Sequence, residues 1–314
     1  MRTGANVLHI ETWPGHGRAH DAYISILESD LLADVPAGKP RICVQWLNDF
    51  SYASADPLTV VDLFVSPSRT HAQHLARKVM IPNNKITVVP LSTNPEFVIE
   101  ADRRPFSIAY ASSPDRGLHH LVEIFPEIRK HVPGAELRVY YRTLPWLDDI
   151  LNEKAQHGSK HWKRASVIKK AFQELGTAGE NNLHLVGQLT TKKMVAELCR
   201  TEVLAYPCDP VKFTEGFSVT ILDACISGCM PVVSGVDAFP ELWRGATTML
   251  DGSPGLPGMK EEWTRKIVEV LTASESTKEQ LRNRARARGN DLARQVVAKR
   301  WKGVIEDAIT RKAT

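Results

Sequence analysis

The residues best suited to chemistry lie between positions 204 and 235, LAYPCDPVKFTEGFSVTILDACISGCMPVVSG. A buried strand ending at Tyr206-Pro207 leads through a loop to Thr214-Glu215-Gly216-Phe217-Ser218 and an apolar helical run. A helix that starts beyond the carboxyl end of a parallel strand offers unpaired N–H groups and partial positive charge, which suits a phosphate. The amides of Phe217, Ser218 and Val219 stand at that start, and Gly216, lacking a Cβ, lets the backbone approach a ligand closely. Glu215 sits just before the helix and Asp223 eight residues later. Carboxylates in those places accept hydrogen bonds from neutral hydroxyls, so the pattern fits a sugar nucleotide: Glu215 on the sugar, the amides on the diphosphate, Asp223 on the ribose. Taken singly, the two acids read equally well as a helix-dipole partner and a solvated helix residue.

A second constellation is Tyr110-Ala111-Ser112-Ser113-Pro114-Asp115-Arg116-Gly117-Leu118. Arg116 supplies a planar fork of donors for phosphate oxygens, and Gly117 opens the next helix. A third is Val44-Gln45-Trp46-Leu47-Asn48-Asp49-Phe50, where Asn48 and Asp49 follow a strand. Asn48 can donate to a sugar hydroxyl but cannot carry a proton as an imidazole does, and the pair also reads as a turn cap. Trp13-Pro14-Gly15-His16-Gly17, with His16 and His20, reads as a turn and a helix start.

These groups need a scaffold of short buried strands alternating with amphipathic helices, the pattern of an α/β fold with parallel sheets. In the first hundred residues it predicts strands at Val7–Ile10, Arg41–Gln45, Val60–Val65 and Ile86–Val89, with helices at His16–Leu32 and Ser68–Met80. Ser66-Pro67-Ser68 supplies a cap for the second helix. Residues 91–104 are polar and turn-rich and read as a linker. Strands follow at Phe106–Ala111, Glu136–Tyr141, Leu183–Val186, Val203–Tyr206, Pro231–Val233 and Thr247–Leu250. Helices fall at Gly117–Lys130, Thr191–Cys199 and Ser218–Ile226, with a stretch over 145–175 broken at His157-Gly158 and two or three more between Glu261 and Lys312.

The 314 residues make roughly two domains at ~150 residues each. The expected division is 1–100, 101–285 and a closing helical segment over 286–314 that packs back towards the first domain. The first domain opens on what reads as a middle strand, which makes it shortened beside a complete second one. With 43% hydrophobic and 24% charged residues, disordered, collagen-like and coiled-coil classes are excluded. No run approaches ~18 apolar residues, and the first residues lack the apolar core of a signal peptide, so a cytoplasmic protein is expected. Five cysteines without a Cys-x-x-Cys read as free thiols, and no metal site is expected.

A net charge of +4 is too small to argue for nucleic acid, but it accommodates an anionic small molecule. Basic residues cluster at Lys160–Lys170 and Arg282–Lys302, where solvated helix faces are the expected reading. The functional alternative is peripheral contact with an anionic membrane face, where lipid-linked acceptors sit.

The pattern of Glu215, Gly216, Phe217, Ser218, Asp223, Ala224, Gly228, Pro231 and Val232 resembles retaining glycosyltransferases of the two-domain GT-B architecture, in the large family 4 group. The motif is E-G-F-(G/S)-x-x-x-x-(E/D)-A-x-x-x-G-x-P-V, and here its second acid is the shorter Asp. Arg116 matches the family's basic residue that contacts the donor diphosphate. The usual second basic residue is absent, Ala111 standing there, and Arg142 after the next strand is the candidate to compensate. Asn182–Gly187, Val236–Leu242, Asp62–Ser68 and Val88–Pro90 match the family more loosely, so the likeness covers roughly residues 40 to 310. Asn48 stands where the family has a His near the transferred carbon, followed by Asp49.

The resemblance implies an α/β fold of two Rossmann-like parallel-sheet domains with the N-terminal one reduced. It implies transfer of a sugar from a UDP-, GDP- or ADP-linked donor to a glycan, lipid or small-molecule hydroxyl, with retention and with no metal or other cofactor. The site residues it assigns are Glu215, Asn48 and Asp49 for catalysis, and Arg116, Gly117, Gly216, Phe217, Ser218, Val219, Asp223 and Arg142 for the donor. The alternative is a catalytically silent binding or regulatory subunit, as Asn48 in place of His would allow.

Overall fold

In the computed structural model, residues 21–46 and 57–313 can be described. The predicted strand at Val7–Ile10, the loop with His16 and His20, and Asn48 and Asp49 lie outside these residues.

Two parallel sheets carry the chain. The first holds β1 (Tyr23–Ile26), β2 (Arg41–Val44), β3 (Leu63–Ser66) and β4 (Ile86–Val88) in sequence order. The helix predicted over His16–Leu32 is not formed in its described part. Tyr23-Ile24-Ser25-Ile26 instead pairs in register with Arg41–Val44, and a 3-10 turn follows at Ser29–Leu32. The reason lies in the residues: two isoleucines in a short alternating run pack better on a pleated surface than on a helix. One helical turn, α1 (Pro57–Val60), precedes β3, and α2 (Arg69–Val79) follows it. Ser68 caps α2 by accepting a hydrogen bond from the His71 amide at 3.0 Å.

The second sheet holds β5 (Ser107–Tyr110), β6 (Glu136–Val139), β7 (Leu183–Leu185), β8 (Val203–Tyr206), β9 (Met230–Gly235) and β10 (Thr248–Asp251). Its spatial order is β10-β9-β8-β5-β6-β7. The chain starts in the middle, winds out to one side, then returns to wind out on the other. The helices are α3 (Leu118–His131), α4 (Thr143–Asn152), α5 (Lys160–Leu175), α6 (Thr191–Cys199), α7 (Val219–Ser227), α8 (Phe239–Trp243) and α9 (Met259–Thr272). The sequence placed these six strands within two residues at every end, because buried central strands are near-continuous apolar runs. Ile108, Leu137, Leu183, Val203 and Val232 are all fully buried, each contributing roughly 1.5–3 kcal/mol over exposure.

Two last helices tie the sheets together. Helix α10 (Glu275–Asp291) lies against α7, and Gly289 makes this close crossing achievable, since a Cβ there would meet the Ile226 nitrogen at 2.6 Å. Helix α11 (Arg294–Ala313) returns to the first sheet. Val297, Trp301, Val304 and Ile305 pack on Ile42, Val65 and Val89, and Lys312 Nζ donates to Asp62 Oδ1 at 2.8 Å. No helix among the described residues is long and apolar enough to cross a membrane.

Both basic clusters lie largely on exposed helix faces, as expected, with buried exceptions in and beside them. Arg164, Lys278 and Arg282 are buried. Lys278 Nζ donates to Glu202 Oε1 at 3.0 Å, and Arg288 Nε donates to the Leu242 carbonyl at 2.9 Å. All five cysteines are free and buried.

Candidate functional site

In a doubly wound sheet, ligands collect beyond the carboxyl ends of the strands where the order reverses. Here that point lies between β5 and β8. The loop after β5 forms a 3-10 turn, Pro114–Arg116, and the loop after β8 leads to Glu215 and the head of α7. The two loops therefore bring Arg116 and Glu215, 99 residues apart in sequence, into contact: Arg116 Nη1 donates to Glu215 Oε1 at 2.5 Å.

Tyr206, the last residue of β8, donates its phenol to the same oxygen at 2.8 Å. Ser112 Oγ lies 2.8 Å from the Tyr206 oxygen and must be the donor there, because the phenol proton is already committed. Asp237 Oδ2 accepts from the amides of Thr214 and Glu215 at 2.8 and 2.9 Å and so pins the backbone under the carboxylate. Glu215 Oε2 accepts no hydrogen bond from the described residues.

Glu215 is 3% exposed, and the Arg116 side chain is 38% exposed. Burial pushes the Glu215 carboxyl up to about 7, against the opposing pull of Arg116 and Tyr206. Burial works against the charge on Arg116, but Glu215, Tyr206 and Asp115 together outweigh it and hold the guanidinium above its usual range.

These groups line a cleft of about 280 Å³ between the two sheets. Arg116, Glu215, Tyr206 and residues 216–220 form one wall, while Trp46, Pro67 and Leu91 face them. A larger hollow of about 510 Å³ lies between α11 and the first sheet, lined by Asp62, Asn83 and Lys312. It sits at the amino ends of β3 and β4, away from the strand-order reversal, and its Lys312 and Asp62 already pair with each other.

No family model matches the chain, and no curated protein matches it. Solved structures do. It is similar to the pneumococcal O-GlcNAc transferase GtfA, solved with UDP and GlcNAc, at 16% identity and a TM-score of 0.64. That likeness covers 86% of this chain and 53% of GtfA, so the chain spans about half the length of that protein. It is similar to a sucrose-phosphate synthase from Thermosynechococcus elongatus, at 15% identity and a TM-score of 0.65 over 93% of this chain and 74% of that one. HepE from Anabaena, solved with UDP and glucose, matches at 13% identity and a TM-score of 0.63 over 86% and 72% of the two chains. The chain has the GT-B fold.

Within this GT-B fold the expected site residues separate. Arg116, Glu215, Gly216, Phe217, Ser218 and Val219 line one cleft. Gly117 stands at its edge for a packing reason. Its φ is +125°, and a Cβ would lie 1.9 Å from the Pro207 carbonyl oxygen, so the two loops press directly on each other. Gly117→Ala is expected to cost about 3 kcal/mol or more and to part the loops. A thermal melt checks this, and a melting temperature unchanged from the parent would contradict it.

Gly216 lines the cleft, but its missing Cβ serves a different neighbour from the one expected. A Cβ would meet the His71 ring at 2.5 Å, and the Gly216 carbonyl accepts from Ser68 Oγ at 2.7 Å. The small residue lets α2 of the first sheet dock.

Asp223, expected on a ribose, sits on the flank of α7. It is 4% exposed, lies outside the cleft wall, and accepts from Thr93 Oγ1 at 2.8 Å. Burial pushes its carboxyl up to about 6, with the Thr93 hydroxyl pulling the other way. Arg142 is exposed at the head of α4 and is not part of the cleft wall. Of the third constellation, Trp46 reaches the cleft, while Asn48 and Asp49 lie outside the described residues.

Sequence reasoning missed Tyr206, Ser112 and Asp237. Tyr206 and Ser112 carried the general signal of polar groups at carboxyl ends of strands. Asp237 lies 22 residues beyond Glu215 and carried none.

Among the described residues one trio could hold a metal ion: His119, His120 and Asp209 place one ligand atom each within 4.8 Å of one another. Arg164 Nη2, however, donates to Asp209 Oδ2 at 2.7 Å, so a guanidinium fills the place a cation would take.

Proposed function

We propose that this chain is a nucleotide-sugar glycosyltransferase that retains configuration at the transferred carbon. The observation that carries the reading is Arg116 and Glu215 meeting at the strand-order reversal, in a cleft capped by the head of α7. A guanidinium and a helix N-terminus suit the charge that develops on a departing nucleoside diphosphate. Glu215 Oε2 suits a donor sugar hydroxyl, and its charge suits the positive character that grows on the sugar as the bond to phosphate breaks. The acceptor hydroxyl then attacks from the side the nucleotide leaves, its oxygen bonding to the sugar carbon as that carbon's bond to the phosphate oxygen breaks and its proton passing to the departing phosphate. A glycan, a lipid-linked sugar or a small molecule would serve as acceptor, entering from the side of Trp46 and the segment that carries Asn48 and Asp49.

GtfA and HepE, solved with UDP, support UDP as the first nucleotide to try, with GDP and ADP next. Arg116 and the helix head replace a metal in this reading. We place the protein in the cytoplasm, at most peripherally on a membrane face, with residues 1–100 supplying the acceptor side and 101–285 the donor side.

Saturating nucleotide is expected to stabilise the fold by about 2.7 kcal/mol at a hundredfold excess over Kd, a rise of several degrees in melting temperature. If UDP, GDP and ADP all leave the melt unmoved, the donor site is refuted. Asn48 in place of the family's His favours a second reading, a catalytically silent subunit that binds nucleotide. Transfer or donor hydrolysis by the purified chain alone would overturn it.

A further inference from the structure

Behind the cleft lies a buried polar cluster that the proposed chemistry does not use. Its centre is Arg164 on α5, 9% exposed. One guanidinium nitrogen, Nη1, donates to the Asp115 carbonyl at 2.6 Å, and the other, Nη2, donates to Asp209 Oδ2 at 2.7 Å. Asp115 immediately precedes Arg116. Asp209 lies in the loop that runs from Tyr206 to Glu215. His120 Nε2, from the first turn of α3, lies 3.1 Å from the same carboxylate oxygen, and Ser253 from the loop after β10 donates to the other. Burial raises the Asp209 carboxyl, but His120, Ser253 and the Arg164 charge together hold it below its usual range, so it stays ionised. The neighbouring backbone is fixed as well: Ser234 Oγ donates to the Cys208 carbonyl at 2.7 Å, and Gly117 abuts Pro207.

Arg164 itself does not line the cleft. We propose that Arg164 is a positioning residue: by gripping both the carbonyl beside Arg116 and the carboxylate of the Glu215 loop, it sets the spacing of the two charged groups that face the donor. The inference rests on the sugar-nucleotide reading above. Only a guanidinium can do this, because its planar fork sends two donors in fixed directions to two acceptors, whereas an ammonium is a single point of charge. The same fork couples the α4–α5 helical pair to the site.

The test is a double-mutant cycle. Arg164→Lys keeps the charge and one bond but loses the span. In the parent it is expected to lower the kcat/KM of donor hydrolysis by about 10- to 100-fold, as misplacement of a reacting group by an ångström would. Combined with Arg116→Lys, it is expected to cost less than about threefold further, since the spacing Arg164 sets matters only while the Arg116 fork is there to meet the donor. Asp209→Asn, which keeps the shape of the loop, is expected to give the same loss and the same coupling, and it serves if Arg164→Lys does not fold. Equal losses in the two backgrounds, or an Arg164→Lys variant with parental kcat and KM, would overturn the proposal. A parent that binds none of UDP, GDP and ADP would overturn the underlying reading instead, and the proposal with it.

Discussion

Glu215→Gln is expected to lose sugar transfer by on the order of 10²- to 10³-fold while still binding nucleotide, and to melt above the parent at pH 8. The loss follows from the geometry. Arg116 and Tyr206 both bind Oε1, which leaves Oε2 as the charged edge facing the cleft. A Gln keeps the shape and a hydrogen bond but not the charge. The gain in stability follows from burial. The carboxyl rises from 4.5 to about 7 in the fold, so between those pH values the folded chain holds a proton that the unfolded chain has released. The contribution of this group is therefore fully present below about 4.5 and is lost as the pH climbs towards 7. At higher pH the fold carries a buried charge costing at most about 3 kcal/mol, and Gln removes most of it. Melting curves of both proteins from pH 5 to pH 8.5 should converge at the acid end. A variant that melts lower throughout, or that keeps transferring sugar, would refute the assignment.

The second large effect concerns Arg116. A diphosphate entering the cleft competes with Glu215 for the same guanidinium. When Arg116 turns to the phosphate, Glu215 loses its nearest positive charge and its carboxyl climbs further above 7. Tyr206 still donates to it, and Asp237 still adds negative charge nearby. Binding of a nucleoside diphosphate without its sugar should therefore take up a proton, so its affinity should fall as the pH rises from about 7 to 9, by at most about tenfold per pH step of one, whereas sugar hydroxyls donating to Oε2 would keep the carboxylate charged in the transfer complex. Titration calorimetry in buffers of different ionisation enthalpy reads this proton directly. Glu215→Gln should abolish the uptake without abolishing binding, and Arg116→Ala should weaken binding about 10- to 100-fold through loss of charge-assisted bonds. Identical heats in all buffers would exclude the exchange.

The parts of this molecule that were legible in its sequence are those decided locally. Ile108-Ala109-Tyr110 and Val203–Tyr206 are buried on both faces, so their apolar runs have one reading, and the glycine at 228 duly ends α7 in a left-handed turn with φ +67°. Arg116 and Glu215 were legible because each follows such a strand. What escaped depends on distant partners. Nothing near Gly216 announces His71, 145 residues earlier, and nothing near Asp223 announces Thr93, 130 residues earlier. Arg164 looked like one more cation on a lysine-rich helix, since its two acceptors come from other loops. Tyr23–Ile26 was misread because a four-residue run carries too little periodicity to tell a strand from a helical turn.

Where the chain crosses between its sheets, it does so twice at one place. Thr93 of the outgoing segment bridges to Ala293 of the returning one, its amide donating to the Leu292 carbonyl at 3.2 Å and its carbonyl accepting from the Arg294 amide at 3.0 Å. Two crossings zipped together behave as a single axle. The halves can separate there only by tearing backbone bonds. Asp223 grips Thr93 from the flank of α7, the helix whose head opens onto the cleft. That helix is thus a short lever with one end at the ligand and its side on the axle.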